Sequence, residues 1–426
     1  MPSSFRHRAN LCAAAIALVL AVPQALQAAP LEYIGQQIVP TGTVFAGTTV
    51  GGLSGIDRAA GSSRFLAISD DRSSSPANAA RFYELSLELG QFVRSATPGQ
   101  AGVKFESVTT ILTPAGAPFA LNQVDPESLR IDPRSGNLYW TNEGQRAGAG
   151  LQNPTVREMT PAGTHVRDFA VPTRYNPAGL GAADPGIRNN LAFESLTLSV
   201  DGRTLYTATE NALVQDGPAA SLANGSSSRI LSFDVASGAA GAEWVYPVSP
   251  AALAPNPAGG FVTNGLVELL AVGDRQFIAV ERSFSAGAAT PGVGPNGLPT
   301  GNTIRLYLVD ARQASDVSGM DAINAGVVAA TKTLLLDLST LKNDDGSALA
   351  TDNIEGIVWG PEFNGMPTLI LVSDNNFGAT QFTQFVALSV TSPIPEPAIA
   401  SLMLPGLALL AWRRRQAARP GVASPH

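Results

Sequence analysis

The feature that most constrains the fold is a hairpin-like pattern that recurs along the chain. The stretches ESLRIDPRSGNLYWTNE (Glu127 to Glu143) and ESLTLSVDGRTLYTATE (Glu194 to Glu210) share an opening acid, alternating apolar residues, a glycine-containing turn and a closing acid. The two acids lie 16 residues apart in both stretches. Period-two alternation on either side of such a turn predicts a β-hairpin.

Three further stretches keep part of this pattern. Ser54 to Asp70 keeps the spacing and the closing acid, and Glu355 to Asp374 keeps both acids with a longer turn. Gly265 to Glu281 keeps the closing acid, while its other acid is displaced to Glu268. Because the start of the first strand lies beside the end of the second in an antiparallel pair, both acids of a unit are expected at one end of its hairpin.

Radial repetition of antiparallel sheets is typical of a β-propeller. Gly 42 and Pro 31 also indicate a turn-rich, β-leaning chain. The units begin about 70 residues apart, more than the ~40–45 residues of an ordinary blade. Either each unit is a blade with long insertions, such as Ala286 to Asn302, or some blades have diverged. We predict an all-β, β-propeller-like core over residues 29–392 with six or seven blades; a β-sandwich or two stacked β domains are the alternatives.

The N-terminal residues 1–28 predict a secretion signal. Arg6 and Arg8 precede an apolar run, and small residues follow up to a cleavage site near Ala28. Cys12, the only cysteine, lies in this segment. The processed chain would therefore contain no disulfide and no cysteine metal site.

The C-terminal residues 393–426 contain Pro395-Glu396-Pro397, an apolar run over 398–412 and the arginines Arg413 to Arg415. The apolar run is short for a transmembrane helix, which needs ~20 residues, and the arginines would stay cytoplasmic. This order resembles the PEP-CTERM sorting signal of Gram-negative bacteria. The resemblance implies transient anchorage in the inner membrane, cleavage by an exosortase, and export to the cell surface or extracellular matrix. A plain C-terminal membrane anchor is the alternative.

The charge of the core excludes one class of partner. Without the two arginines of residues 1–28 and the four arginines and one glutamate of residues 393–426, the core has 21 Lys+Arg against 33 Asp+Glu, a net charge of −12. Such a surface is unsuited to nucleic acid, which binds through basic patches. It suits divalent cations.

Radially arranged hairpins would bring their acidic ends together. Clustered carboxylates are the hard oxygen ligands that calcium prefers, whereas without a cation they would repel one another. The alternative is that these acids are solvated, pair with arginines, or accept hydrogen bonds from strand ends. The candidate calcium ligands are Asp70, Glu127, Glu143, Glu194, Glu210, Glu281, Glu355 and Asp374.

Arginines follow the closing acid in three units, at Arg72, Arg146 and Arg282. Arginine grips phosphate in bidentate fashion, so Arg72 and Arg282 are candidate catalytic residues that contact a phosphate; simple ion pairs with neighbouring acids are the alternative. His165 is the only histidine between the two terminal segments. A histidine-rich zinc site is thereby excluded, and a serine triad would have to use His165.

The hairpins also resemble, in order from about Gly51 to Phe377, the family described as the "esterase-like activity of phytase". The matching pieces are GGLSGIDRAAGSSRFLAISDDRS, ARFYELSL, DPESLRIDPRSGNLYWTNEG, AFESLTLSVDGRTLYTATENAL, GLVELLAVGDRQFIAVERSF and NIEGIVWGPEFNGMPTLILVSDNNF. The resemblance implies a propeller-like fold and hydrolysis of phosphoesters or esters. We therefore predict a secreted, exosortase-processed, calcium-assisted hydrolase of a small phosphoester. The alternative is a non-catalytic matrix or surface protein that binds extracellular polysaccharide or another protein, with calcium in a purely structural role.

Overall fold

The computed structural model describes residues 30–59, 61–148 and 150–391. The predicted secretion signal (1–28) and the predicted sorting tail (393–426) lie outside the described residues. Within these ranges every regular element is a β-strand or a single-turn 3₁₀ helix. No helix in this part of the chain is long and apolar enough to cross a membrane.

The strands are short and mostly buried, as their β-branched and aromatic composition favours. Four 3₁₀ helices lie in the loops: η1 (Leu89–Gln91), η2 (Thr173–Tyr175), η3 (Val214–Asp216) and η4 (Leu338–Thr340). In chain order the strands are β1 (Leu31–Val39), β2 (Val44–Phe45), β3 (Thr48–Thr49), β4 (Leu53–Arg58), β5 (Arg64–Ser69), β6 (Arg81–Leu87), β7 (Val103–Thr110), β8 (Pro126–Ile131), β9 (Leu138–Asn142), β10 (Gln145–Ala147), β11 (Gly150–Gln152), β12 (Thr155–Met159), β13 (His165–Asp168), β14 (Phe193–Leu198), β15 (Thr204–Thr209), β16 (Ser226–Asp234), β17 (Ala240–Val248), β18 (Val262–Gly273), β19 (Gln276–Ser285), β20 (Asn302–Asp310), β21 (Thr331–Asp337), β22 (Asn353–Trp359), β23 (Thr368–Asp374) and β24 (Thr383–Val390).

Twenty of these strands form five four-stranded antiparallel sheets, which are the blades of a β-propeller. Blade one is β4-β5-β6-β7, blade two is β8-β9-β12-β13, blade three is β14-β15-β16-β17, blade four is β18-β19-β20-β21 and blade five is β22-β23-β24-β1. The first strands of successive blades contact one another, and β22 of blade five contacts β4 of blade one. These five inner strands therefore close a ring around a central axis.

The predicted count of six or seven blades is wrong, because each recurring unit is one whole blade. All five predicted hairpins are present, as β4-β5, β8-β9, β14-β15, β18-β19 and β22-β23. They are the two inner strands of each blade. The residues that each blade has beyond the length of an ordinary blade lie in long connections between strands. One is the predicted insertion, whose residues 286–301 join β19 to β20.

The ring is closed by its first strand. β1, near the start of the described chain, pairs antiparallel with β24 near its end, with Leu31 opposite Val390. Blade five is thus built from both ends of the described residues.

Five apolar clusters fill the spaces between neighbouring blades. Phe193 and Leu231 of blade three, for example, pack with Tyr139 and Val156 of blade two. Each remaining pair of adjacent blades has a cluster of the same kind. Because both faces of a blade are covered, the central strands are almost continuously apolar and bury their aromatic side chains.

An ion pair occupies the ring axis. Arg130 of β8 lies 2.9 Å from Glu268 of β18, and both side chains are buried. The carboxylate of Glu268 also accepts from the Leu196 N–H of β14 and from the Ser128 hydroxyl. The guanidinium of Arg130 donates to carbonyls of four inner strands, namely those of Ile56 on β4, Leu129 on its own strand β8, Leu269 on β18 and Ile357 on β22. The pair therefore binds to all five inner strands and plugs the axis of the ring.

Candidate functional site

A β-bulge lies at the same place in each of the five inner strands. The pairing register shifts by one residue near the start of β4, β8, β14 and β22, and between Leu266 and Glu268 in the longer strand β18. In blades three and five the extra residue is an opening acid, Glu194 or Glu355, and in blade two the shift falls across Glu127 and Ser128. A bulge re-aims the side chain that it carries, and here it turns these acids towards the ring axis, where all three line a common cavity.

The closing acids stand at the end of the second strand of each hairpin. The backbone N–H groups of Asp70, Glu143 and Glu210 donate to carbonyls just before the first strand of their own blade. Asp374 holds the same position, opposite Asn353. Opening and closing residues of each blade therefore meet at one end of the ring, as the hairpin pattern predicts.

Blade four departs from the pattern by one residue. Leu266 lies opposite Glu281 and Gly265 lies opposite Arg282, so Arg282 takes the position that the closing acid holds in the other blades. A shift of one residue sends a strand's side chains to the opposite face. Glu281 accordingly points away from the cavity and accepts from the hydroxyl of Tyr246 at 2.8 Å and from the ammonium of Lys332.

The cavity at this end of the ring has a volume of about 550 Å³. Its acidic part consists of eight carboxylates, accompanied by only two basic residues, Arg72 and Arg282. Its other polar and apolar residues come mainly from the β19–β20 connection, from the β23–β24 loop and from the loops before β14 and β18. The carboxylates are those of Asp70, Asp125, Glu127, Glu194, Glu210, Asp352, Glu355 and Asp374.

Each of the two arginines pairs with carboxylates of neighbouring blades. Arg282 lies 3.1 Å from Glu355 of blade five and 3.5 Å from Glu210 of blade three. Arg72 pairs with Asp125 and donates to the side-chain carbonyl of Asn190 at 3.0 Å. Two guanidiniums leave most of the carboxylates uncompensated. Among the described residues, no arginine or lysine forms an ion pair with Asp70, Glu127, Glu194 or Asp374.

Burial and mutual repulsion make these carboxyl groups weak acids. Burial, followed by the charge of Asp374, raises the pKa of Asp70 well above its usual value. Burial and the neighbouring carboxylates likewise raise the pKa of Glu127 and Glu194. Burial raises the pKa of Glu210 to about 7, although Arg282 opposes the shift. The cavity thus favours either protonated carboxyls or a bound cation.

One group of oxygens has the geometry of a cation site. Carboxylate oxygens of Asp125, Glu127 and Glu143 lie within 4.8 Å of one another, and all three residues are buried. One oxygen of Asp70 in the adjoining blade is buried without a hydrogen-bond partner among the described residues. Hard oxygen donors of this kind fit calcium better than zinc, which prefers nitrogen and sulfur.

Most of the residues that the sequence marks as candidates are brought together. Glu143 lies directly behind the cavity, 3.8 Å from Arg72, while Glu281 is the one predicted ligand that faces elsewhere. Arg146 also lies apart and donates to the backbone carbonyls of Gly179 and Gly181. The predicted residues that line the cavity are Asp70, Arg72, Glu127, Glu194, Glu210, Arg282, Glu355 and Asp374.

Asp125 and Asp352 are cavity acids that the hairpin pattern misses. Asp125 stands two residues before Glu127, and Asp352 stands three residues before Glu355. A second acid shortly before the opening acid is therefore the sequence feature that could have identified them. Burial raises the pKa of Asp352 to about 6. His165 lies on β13, the outer strand of blade two, near Asp168. It does not line the described cavity, which removes a serine triad there.

Comparisons with known proteins give a family and distant structural likenesses. No protein with a curated description matches the chain. Solved structures that resemble it include "Structure of Dos1 propeller" (9% identity, TM-score 0.32, covering 80% of this chain and 69% of that one). Another is "Structure of U3-55K" (10% identity, TM-score 0.34, covering 84% of this chain and 99% of that one). The model of the phytase-like family, described as "Esterase-like activity of phytase", matches residues 48–377, which contain all eight carboxylates and both arginines of the cavity, and the chain belongs to this family.

Proposed function

We propose that the protein is an exported hydrolase that cleaves phosphoesters or carboxyl esters in its central cavity, assisted by calcium. The observation that carries the proposal is the convergence of eight carboxylates and two arginines from all five blades on one end of the ring. Membership of the esterase-like family supports the same reaction class. Perturbed, buried acids gathered in a concave site are typical of catalytic centres.

The acids around Asp125, Glu127 and Glu143 would hold the cation, with Asp70 as a further ligand from blade one. These residues supply oxygen donors only, and their own repulsion would be relieved by a divalent charge. When bound, calcium would supply positive charge that polarises the ester and offsets the charge developing on it.

Arg282 is the best-placed group for an anionic ester. Its guanidinium is held between Glu210 and Glu355, and its Nε atom is buried without an acceptor among the described residues. An unused, buried N–H is costly unless a ligand accepts from it. Arg72, about one-third exposed, would supply a second donor from the opposite side of the ring.

Hydrolysis requires one water and two proton transfers. The water oxygen bonds to the phosphorus or the carbonyl carbon and gives a proton to a carboxylate, while the ester oxygen leaves as the alcohol after taking a proton from a carboxylic acid. Glu194 suits the acid role because burial and its neighbours raise its pKa. Burial also raises the pKa of Glu355, but Arg282 and Asn353 oppose this shift by stabilising the charged form, which suits Glu355 to the base role.

Export belongs to this proposal through the terminal segments. The predicted secretion signal and the predicted PEP-CTERM tail would deliver the folded propeller to the cell surface or matrix after exosortase cleavage. An extracellular location is rich in calcium, which suits an oxygen-only cation site.

The test uses residues 29–392 and the variants Glu194→Gln and Glu127→Gln, with Glu32→Gln on the exposed face of β1 as matched control. We expect calcium-stimulated hydrolysis of aryl phosphates or aryl esters, a loss of about 100-fold or more in the two cavity variants, and no loss in the control. Full activity in both cavity variants would refute the site. Calcium binding without turnover of any ester would favour the alternative, a non-catalytic protein that binds matrix polysaccharide.

A further inference from the structure

We propose that the cavity selects esters that carry one anionic group and one apolar ring, and that it discriminates against polyanions such as inositol hexakisphosphate. This inference rests on the proposed function and names its substrate class. It follows from an apolar wall on blade four, whose residues take no part in the carboxylate cluster or in its ion pairs.

The wall is formed by residues that a water-soluble protein would ordinarily bury. Phe261 is 67% exposed and Leu298 is 58% exposed, yet both line the acidic cavity. The rings of Phe261 and Phe284 lie with their centroids 6.2 Å apart. Pro299 and Leu191 extend the apolar surface. Exposed apolar patches with a polar surround are typical of ligand sites.

The wall and the anion-binding arginine belong to one strand. Arg282 and Phe284 are two residues apart on β19, so their side chains lie on the same face, about 7 Å apart along the strand. Phe284 pairs across the sheet with Thr263, which also lines the cavity. A ligand that binds Arg282 through its anionic group would therefore place an adjoining ring against Phe284 and Phe261.

The β19–β20 connection that carries part of the wall is fixed to the neighbouring blade. The hydroxyl of Thr300 donates to the Thr351 carbonyl at 2.7 Å, and the side-chain amide of Asn296 donates to the Thr380 carbonyl at 3.2 Å. Both partners lie in the loops of blade five. The apolar wall is thus preformed, which lowers the cost of binding a rigid ring.

Charge argues against a polyanionic ligand. Eight carboxylates face two arginines in the cavity, so each additional negative group on a ligand meets repulsion that the arginines cannot offset. One bound cation would neutralise two of these charges. A ring-bearing monoester needs one anionic contact, whereas a hexakisphosphate needs several.

The experiment measures binding without turnover. Phenylphosphonate, methylphosphonate and inositol hexakisphosphate are titrated calorimetrically into the full chain in calcium-containing buffer. The variants are Phe261→Ala and Leu298→Ala. Val200→Ala, at the opposite end of blade three and 76% exposed, is the control. Hydrolysis of an aryl phosphate and an aryl ester is followed on the same samples.

We expect phenylphosphonate to bind at least tenfold more tightly than methylphosphonate or the hexakisphosphate. Phe261→Ala should remove that preference while leaving methylphosphonate binding unchanged, and Val200→Ala should keep it. Equal binding of the two phosphonates, tighter binding of the hexakisphosphate, or no binding at all overturns the inference. Preserved ring preference with no hydrolysis of either ester would instead refute the proposed reaction alone.

Discussion

At the scale of single residues, a displacement of one sequence position in blade four decides which of its side chains face the cavity. In blades two, three and five the bulge carries a glutamate, whereas in blade four it carries Val267 and the acid follows at Glu268. Glu268 is thereby moved from the cavity to the plug on the axis. The same shift puts Arg282 in place of a closing acid, which gives the site a mostly buried guanidinium.

At Gly55 the bulge of β4 packs closely against β8. A Cβ at this position would lie 2.7 Å from the Cα of Ser128 and 2.8 Å from the carbonyl oxygen of Glu127. Gly55→Ala should therefore push β8 away from β4 and cost about 1–3 kcal/mol of unfolding free energy. Chemical denaturation measures this, with Gly90→Ala as control because its Cβ would meet no atom within 4 Å. Equal stability of the two variants would contradict the tight contact.

At the scale of elements, the inner strands are joined by one ion pair as well as by apolar packing. Arg130 and Glu268 reach backbone or side-chain groups on every inner strand. The effect of such a pair on stability is seen mainly when one partner is removed, because the remaining charge is then buried away from solvent. It also separates the cavity from the other end of the ring.

Arg130→Met should destabilise the protein by about 3–5 kcal/mol, because the charge of Glu268 is then buried without a counter-charge. The double variant Arg130→Met/Glu268→Gln should recover part of this loss, since glutamine is neutral and keeps an acceptor. Arg64→Met breaks the exposed pair with Glu84 and should cost under about 1 kcal/mol. The measurement is the denaturant midpoint of the wild type and the three variants. A double variant that is no more stable than Arg130→Met would count against the explanation.

The elements are also where sequence reasoning succeeds and fails. Alternation and turn glycines predict all five inner hairpins, because these depend on local pattern. The blade number is missed because the outer strands, such as β13 and β17, carry no acid pair and follow connections of variable length. The direction of Glu281 is missed because a bulge depends on contacts between strands, which spacing along the chain does not reveal.

At the scale of the whole molecule, the cavity concentrates the acidic charge of the core at the centre of the ring. The carboxyls of Asp70, Glu127 and Glu194 have raised pKa values because they are buried beside one another. In the unfolded chain the same groups titrate near their ordinary values, about 4. Folding therefore takes up protons wherever the pH lies between the two sets of values.

In a chelating buffer, the thermal midpoint should fall as the pH rises from about 5 to about 8, because the folded state binds more protons than the unfolded state over this range. Calcium should raise the midpoint more at the upper pH, where more carboxylates are ionised. Scanning calorimetry at several pH values checks both trends. Glu84→Gln, which changes a carboxyl outside the cavity, should keep the wild-type profile. A midpoint that rises with pH in chelator would show that the acids are not mutually repelling.

The pairing of β1 with β24 has a consequence for the order in which the molecule forms. Leu31 finds its partner only when Val390 is available, so the contact that completes blade five spans almost the entire described chain. Contacts this remote form late, since a long loop must close first. A growing chain therefore remains an open arc until its last blade has been synthesised, and during that interval any machinery that handles unfolded polypeptide meets it before the ring has locked.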